Sequence, residues 1–177
     1  MAAYDFNDKI VSIPDYPQPG VIFKDITTLL RDAEGFQRAV DELSNHFINQ
    51  GITKVVGAEA RGFIIAAPVA YKLNAGLVPM RKPGKLPREV YSQEYGLEYG
   101  SDELQVHTDA ITKDDRVLLV DDLIATGGTA VAQAKLLSKF GATLVGMAFL
   151  MELDYLNPRK VVREATDCDI FSLVHVS

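Results

Sequence analysis

Cysteine is almost missing from the chain. Cys168 stands alone, so no internal disulfide and no cysteine-based metal cluster can form, and a reducing compartment is the expected setting. Histidine is scarce as well: His46, His107 and His175 are scattered without HxxxH-type spacing, which argues against metal binding by histidines. No apolar run reaches the 18 residues or so that a membrane-spanning helix needs. The opening residues, MAAYDFNDKIVSIPDYP, carry charges where an export signal has its apolar core, so a cytoplasmic location is expected. An excess of positive charge is also lacking. The net charge of -6 argues against a general nucleic-acid binder, which needs a basic face. Internal repeats, low-complexity segments and interdomain linkers are absent.

What is present suits one globular domain spanning 1–177, with 47% hydrophobic and 24% charged residues. A short helix is predicted over 4–11. The prolines of Ile13–Gly20 then force an extended, turning path. Phe36, Val40, Leu43, Phe47 and Ile48 share one face of a helix predicted over 34–49. Further strands are predicted at Thr53–Gly57, Gly76–Met80, Val106–Asp109, Arg116–Val120, Leu144–Met151 and Ile170–Val174. Helices are predicted at Phe63–Leu73 and Thr129–Phe140. This alternation predicts an α/β fold with a mainly parallel twisted sheet flanked by helices. Residues 81–103 break the pattern, being polar and rich in proline and glycine. A solvated surface loop is one reading, and a functional loop is the other.

The most informative stretch is VLLVDDLIATGGTA, 117–130. An apolar strand runs into Asp121 and Asp122, and Ala125-Thr126-Gly127-Gly128-Thr129 then leads into a helix. Glycines allow close backbone approach, and the free N–H groups and positive dipole end of a helix suit a phosphate. No lysine follows the glycines, so this is not a Walker loop. Carboxylates beside a phosphate repel it unless sugar hydroxyls, with or without Mg²⁺, lie between them. A ribose 5-phosphate fits that spacing. A solvated turn with an N-capping threonine is the alternative on the residues alone.

This stretch resembles the phosphoribosyl diphosphate (PRPP) motif of the type I phosphoribosyltransferase family, and the resemblance extends over roughly residues 10–174. Within the family, three more segments are similar to members that use adenine. PGVIFKDIT, 19–27, resembles a base-binding hood that occupies part of residues 1–33. The resemblance implies that the backbone at Ile22 and Lys24 reads the adenine edge, and that Phe23 stacks on the ring opposite Leu123. GAEARGF, 57–63, resembles the diphosphate loop, with Ala60 and Arg61 as ligands and a non-proline cis peptide near Glu59-Ala60. Residues 81–103 resemble a mobile lid, with Arg81, Lys82 and Lys85 as partners for diphosphate. In the segment LEYG, the resemblance makes Glu98 the acid/base group at the purine, with Tyr99 beside it.

The family fold and chemistry are therefore expected. The 5-phosphoribosyl group of PRPP would pass to N9 of adenine, giving AMP and diphosphate, with Mg²⁺ carried mainly by PRPP. The ribose would sit on Asp121 and Asp122 and the 5-phosphate on Ala125, Thr126, Gly127, Gly128 and Thr129. A homodimer is expected, with no nucleic-acid or membrane partner. A 6-oxo purine would want a facing donor such as lysine, and no clear one is found. A DNA-binding regulator of the same fold would want an added module and a basic surface. From Asp154 onward no usable motif occurs.

Overall fold

The computed structural model describes residues 4–96 and 101–177. A single 3-10 turn, Asn7–Lys9, replaces the helix expected over 4–11, because the chain from Val11 pairs as a strand instead. Strand β1 (Val11–Pro14) and strand β2 (Ile22–Asp25) form an antiparallel hairpin outside the main sheet. A short helix, α1 (Thr27–Leu30), leads into α2 (Ala33–Phe47). Asp32 caps α2 by accepting from the Gly35 N–H, and it also receives Tyr4 Oη at 2.9 Å and pairs with Lys9 at 2.8 Å. The N-terminal segment is thereby tied to the start of α2.

Then follow β3 (Lys54–Ala58), α3 (Arg61–Lys72), β4 (Gly76–Met80), β5 (Val90–Gly96), β6 (Ser101–His107), β7 (Arg116–Ile124), α4 (Gly128–Ser138), β8 (Thr143–Leu153), α5 (Pro158–Arg163) and β9 (Asp169–Val176). The main sheet is parallel, in the order β4-β3-β7-β8-β9. From β3 the chain winds outward to β4, whereas from β7 it winds the other way to β8 and β9. The seam between β3 and β7 is therefore a topological switch point, where the loops leaving the strand ends part and open a crevice.

Strand alternation builds the core on both faces. Leu118 and Val120 pack with α2 and α3, while Val117 and Leu119 pack with α4. Each of these side chains is essentially buried, and each contributes roughly 1.5–3 kcal/mol relative to an exposed one.

Three further expectations change. The stretch 81–103 is not simply a loop: β5 and β6 form an antiparallel hairpin within and beyond it, and the strand expected at 106–109 ends at His107. Its apolar content is low because one face is solvated, while Leu104 and Val106 bury the other face. Strand β7 also continues four residues past Val120, because Asp121, Leu123 and Ile124 pair with Phe149, Met151 and Glu152 of β8. The two acids thus lie inside the ladder rather than beyond it.

Candidate active site

A cavity of about 290 Å³ opens at the switch point. Of the residues singled out from sequence, Ala60, Arg61, Lys82, Asp121, Asp122, Leu123, Ala125, Thr126, Gly127 and Thr129 line it. Gly128 begins α4 beside them, and its N–H points at Thr126 Oγ1 at 3.5 Å. Val131 makes the first backbone bond of α4, to Gly127 O. The Thr129 and Ala130 N–H groups just before it are the unpaired donors of a helix start, the arrangement that binds anions. Gly127 holds φ at 88°, and a Cβ there would come within 2.8 Å of the Pro158 carbonyl oxygen. Only glycine satisfies both conditions without a shift.

The paired acids divide between the flanking helices. Asp121 accepts from the Asp122 N–H at 2.9 Å and from Gln133 Nε2 of α4 at 3.2 Å. Asp122 is 5% exposed, and its Oδ2 lies 2.9 Å from Arg61 Nε at the start of α3. That contact is an ion pair whose N–H is not aimed along the line to the oxygen, so Oδ2 keeps its capacity to accept a hydrogen bond. Burial, and then the neighbouring Asp122 charge, pushes the Asp121 carboxyl up to about 8. A raised Asp121, with Arg61 against Asp122, leaves the pair with less negative charge than two free carboxylates. The repulsion that a phosphate would meet in the bare sequence is thereby reduced.

Two of the other expected cations, Arg81 and Lys82, are already paired with carboxylates. Arg81 is outside the cavity wall, with Nε 2.7 Å from Glu59 Oε2, and Glu59 itself lines the cavity. Lys82 reaches Asp102 at 2.7 Å, and Tyr95 Oη donates to the same carboxylate at 3.1 Å. The Lys82 hydrogen bond holds Asp102 below the usual carboxylate range. Burial, then Asp102, raises Tyr95 to about 12. Lys85 is exposed in a turn closed onto Lys82 O. The Glu59-Ala60 peptide is cis.

Phe23 does not line the cavity but packs against Arg61, whose guanidinium lies 5.2 Å from the ring centroid, and Tyr16 meets Phe23 edge-on. Ile22 is exposed, and Lys24 donates to Ser12 across the β1-β2 hairpin at 2.7 Å. Neither lines the cavity. Glu98 and Tyr99 lie outside the described residues.

Sequence reasoning missed Glu59, Tyr95, Asp102 and Gln133. Gln133 had a signal: it is polar on the apolar stripe of Ala130, Ala134 and Leu137. The others had none, because hairpin pairing and the turn after β3 bring them in. The C-terminal segment, which carried no motif, stands behind the phosphate turn. Arg159 of α5 makes three hydrogen bonds, at 2.9–3.1 Å, to Glu152, which is 2% exposed, and Ser172 Oγ adds another at 2.6 Å. Burial alone would raise Glu152, but the Arg159 and Ser172 bonds outweigh it and hold the carboxyl below its ordinary range.

Comparison with known proteins agrees with this geometry. The phosphoribosyl transferase domain family matches residues 25–176. An adenine phosphoribosyltransferase of Geotalea uraniireducens is 59% identical over 148 residues, covering 84% of this chain and 86% of the relative. The crystal structure of the Thermoanaerobacter pseudethanolicus adenine phosphoribosyltransferase superposes with a TM-score of 0.90 at 45% identity, over 96% of this chain and 97% of that one. The Saccharomyces cerevisiae enzyme, complexed with an imino-altritol bisphosphate and adenine, gives 0.87 at 35% identity over 95% and 96%. The chain belongs to the adenine phosphoribosyltransferases, within the type I phosphoribosyltransferase family.

Proposed function

We propose that the protein transfers the 5-phosphoribosyl group of PRPP to N9 of adenine, forming AMP and diphosphate in purine salvage. The observation that carries this reading is the convergence, in one cavity at the switch point, of the Thr126–Thr129 turn, the Asp121-Asp122 pair and Arg61. The 5-phosphate takes the Ala125–Thr129 turn and the free N–H groups of α4. The ribose hydroxyls donate to Asp121 and Asp122. Diphosphate meets Ala60, Arg61 and Lys82, with Arg81 and Lys85 close in sequence. Adenine lies between Phe23 and Leu123, under the hood formed by residues 1–33. Ile22 and Lys24 offer backbone groups to its edge. The yeast relative complexed with adenine supports this choice of base.

The C1–oxygen bond to diphosphate breaks as the N9–C1 bond forms. N9 loses its proton to Glu98, with Tyr99 beside it, by resemblance to the family. The lid, residues 81–103, excludes water that would otherwise capture the cationic sugar. Arg61 and Lys82 stabilise the departing charge.

The donor set suits Mg²⁺ that arrives with substrate. Asp122 Oδ2 is buried with capacity to accept, yet two adjacent carboxylates supply fewer than the six oxygens the ion takes. PRPP and water would complete the shell, and the ion when bound would neutralise charge on diphosphate.

A homodimer is supported by exposed apolar side chains on α3 and the edge strand β4: Ile64 is 45% exposed, Tyr71 90% and Leu77 43%. A cytoplasmic location accords with the single cysteine. No helix among the described residues is long and apolar enough to cross a membrane.

The test is to incubate the protein with PRPP, Mg²⁺ and each purine base in turn and to separate the products by chromatography. AMP from adenine is expected. A nucleotide formed only from another base refutes the assignment.

A further inference from the structure

Gln133 is an unusual residue for its place. It is 2% exposed on the inner face of α4, among alanines and leucines, and it lines the cavity. Burying an amide costs free energy unless it is hydrogen-bonded, so a side chain held there needs a partner. Its Nε2 donates to Asp121 Oδ2 at 3.2 Å. The other oxygen of the same carboxyl group accepts from the Asp122 backbone N–H at 2.9 Å. On the remaining side stands Gly62, where a Cβ would come within 2.7 Å of Asp121 Oδ1. The Asp121 carboxyl is therefore fixed by α4 on one oxygen, by its own strand on the other, and by the close approach of α3. With its proton held, the Asp121 carboxyl offers one O–H donor and about three lone-pair sites, and two of those sites are used in this way. The rest are left for the cavity that Asp121 and Gln133 both face.

We propose that Gln133 is a positioning residue, whose amide holds the Asp121 carboxyl group in the one orientation that receives the ribose hydroxyls of the substrate. The proposal rests on the reading of Asp121 as a ribose ligand. Methionine matches glutamine in length but cannot donate. Gln133→Met lets the Asp121 carboxyl rotate about its Cβ–Cγ bond, and the acceptor geometry is lost while the fold is kept.

AMP binding by calorimetry in the Gln133→Met, Asp121→Ala and doubly substituted proteins tests it, with KM for PRPP and for adenine measured where turnover remains. Gln133→Met is expected to weaken AMP about tenfold, as for the loss of one well-placed hydrogen bond. KM for PRPP rises by a similar factor, and KM for adenine and the melting midpoint stay unchanged. In the Asp121→Ala background the same change adds less than about twofold, because its effect passes through Asp121. Equal weakening in both backgrounds, or no weakening in either, overturns the role of Gln133. Unchanged AMP affinity in Asp121→Ala overturns the ribose reading, and the proposal with it. Should Gln133→Met fail to fold, Gln133→Asn serves the same cycle, since its amide falls one methylene short and the same outcomes decide.

Discussion

Replacing Asp121 with asparagine should change how stability depends on pH, and the size of the change follows from its surroundings. Burial first, and the Asp122 charge second, raise the folded-state pKa from 3.8 to about 8. A raised pKa means that the folded state holds the proton more tightly than the unfolded chain. The stabilisation is full below the unfolded value and is lost as pH rises through the folded value. Between pH 6 and pH 8 the loss integrates to about 2 kcal/mol, at about 1.4 kcal/mol per unit and flattening near the midpoint. Asp121→Asn removes the titration while keeping the shape of the side chain, so the wild type is compared with that variant. Urea unfolding of both proteins at pH 6 and pH 8 measures the difference, at fixed protein concentration so that any oligomer linkage cancels. The wild type should lose about 2 kcal/mol more than the variant over that interval. Because the two acids share the step, Asp122→Asn should shrink it without removing it, burial being the larger cause. Parallel behaviour of wild type and Asp121→Asn, within about 0.5 kcal/mol, would refute the reasoning that the pair holds a proton near neutrality.

Two more substitutions probe the phosphate turn and what stands behind it. Gly127→Ala places a Cβ within 2.8 Å of Pro158 O at a φ of 88°, so it should lower stability by roughly 1–3 kcal/mol and weaken binding of ribose 5-phosphate, both readable by thermal melts with and without that ligand. Arg159→Met strands the Glu152 carboxyl, which is 2% exposed. Since Arg159 is itself 42% exposed on its side chain, the cost should be about 2 kcal/mol rather than the larger figure for a fully buried pair, measured by urea unfolding. Glu152 is held below its ordinary range, so the wild type should lose that advantage as pH falls through its folded value, whereas the variant should not.

The sequence by itself determined the alternation of strands and helices and the order of the PRPP-like stretch. Both depend on local chemistry: apolar period, glycine at a tight turn, acids after a buried strand. The element cores at 36–47, 63–72, 116–120 and 144–151 were legible for the same reason, since each carries its own hydrophobic pattern. What only the tertiary structure decided were contacts between segments far apart in the chain. The hairpin of β5 and β6 was hidden, because strands solvated on one face have few apolar residues and gain their order from each other. Asp121 and Asp122 read as charges past a strand end, until pairing with β8 carried β7 on to Ile124. Their charge problem was eased by Arg61, brought from the start of α3, and by the burial of Asp121. Gln133 shows in one dimension only as a polar break in an apolar stripe, and Asp102 and the Arg159–Glu152 pair do not show at all, because a side chain's partner and its dielectric surroundings exist only once the chain has folded.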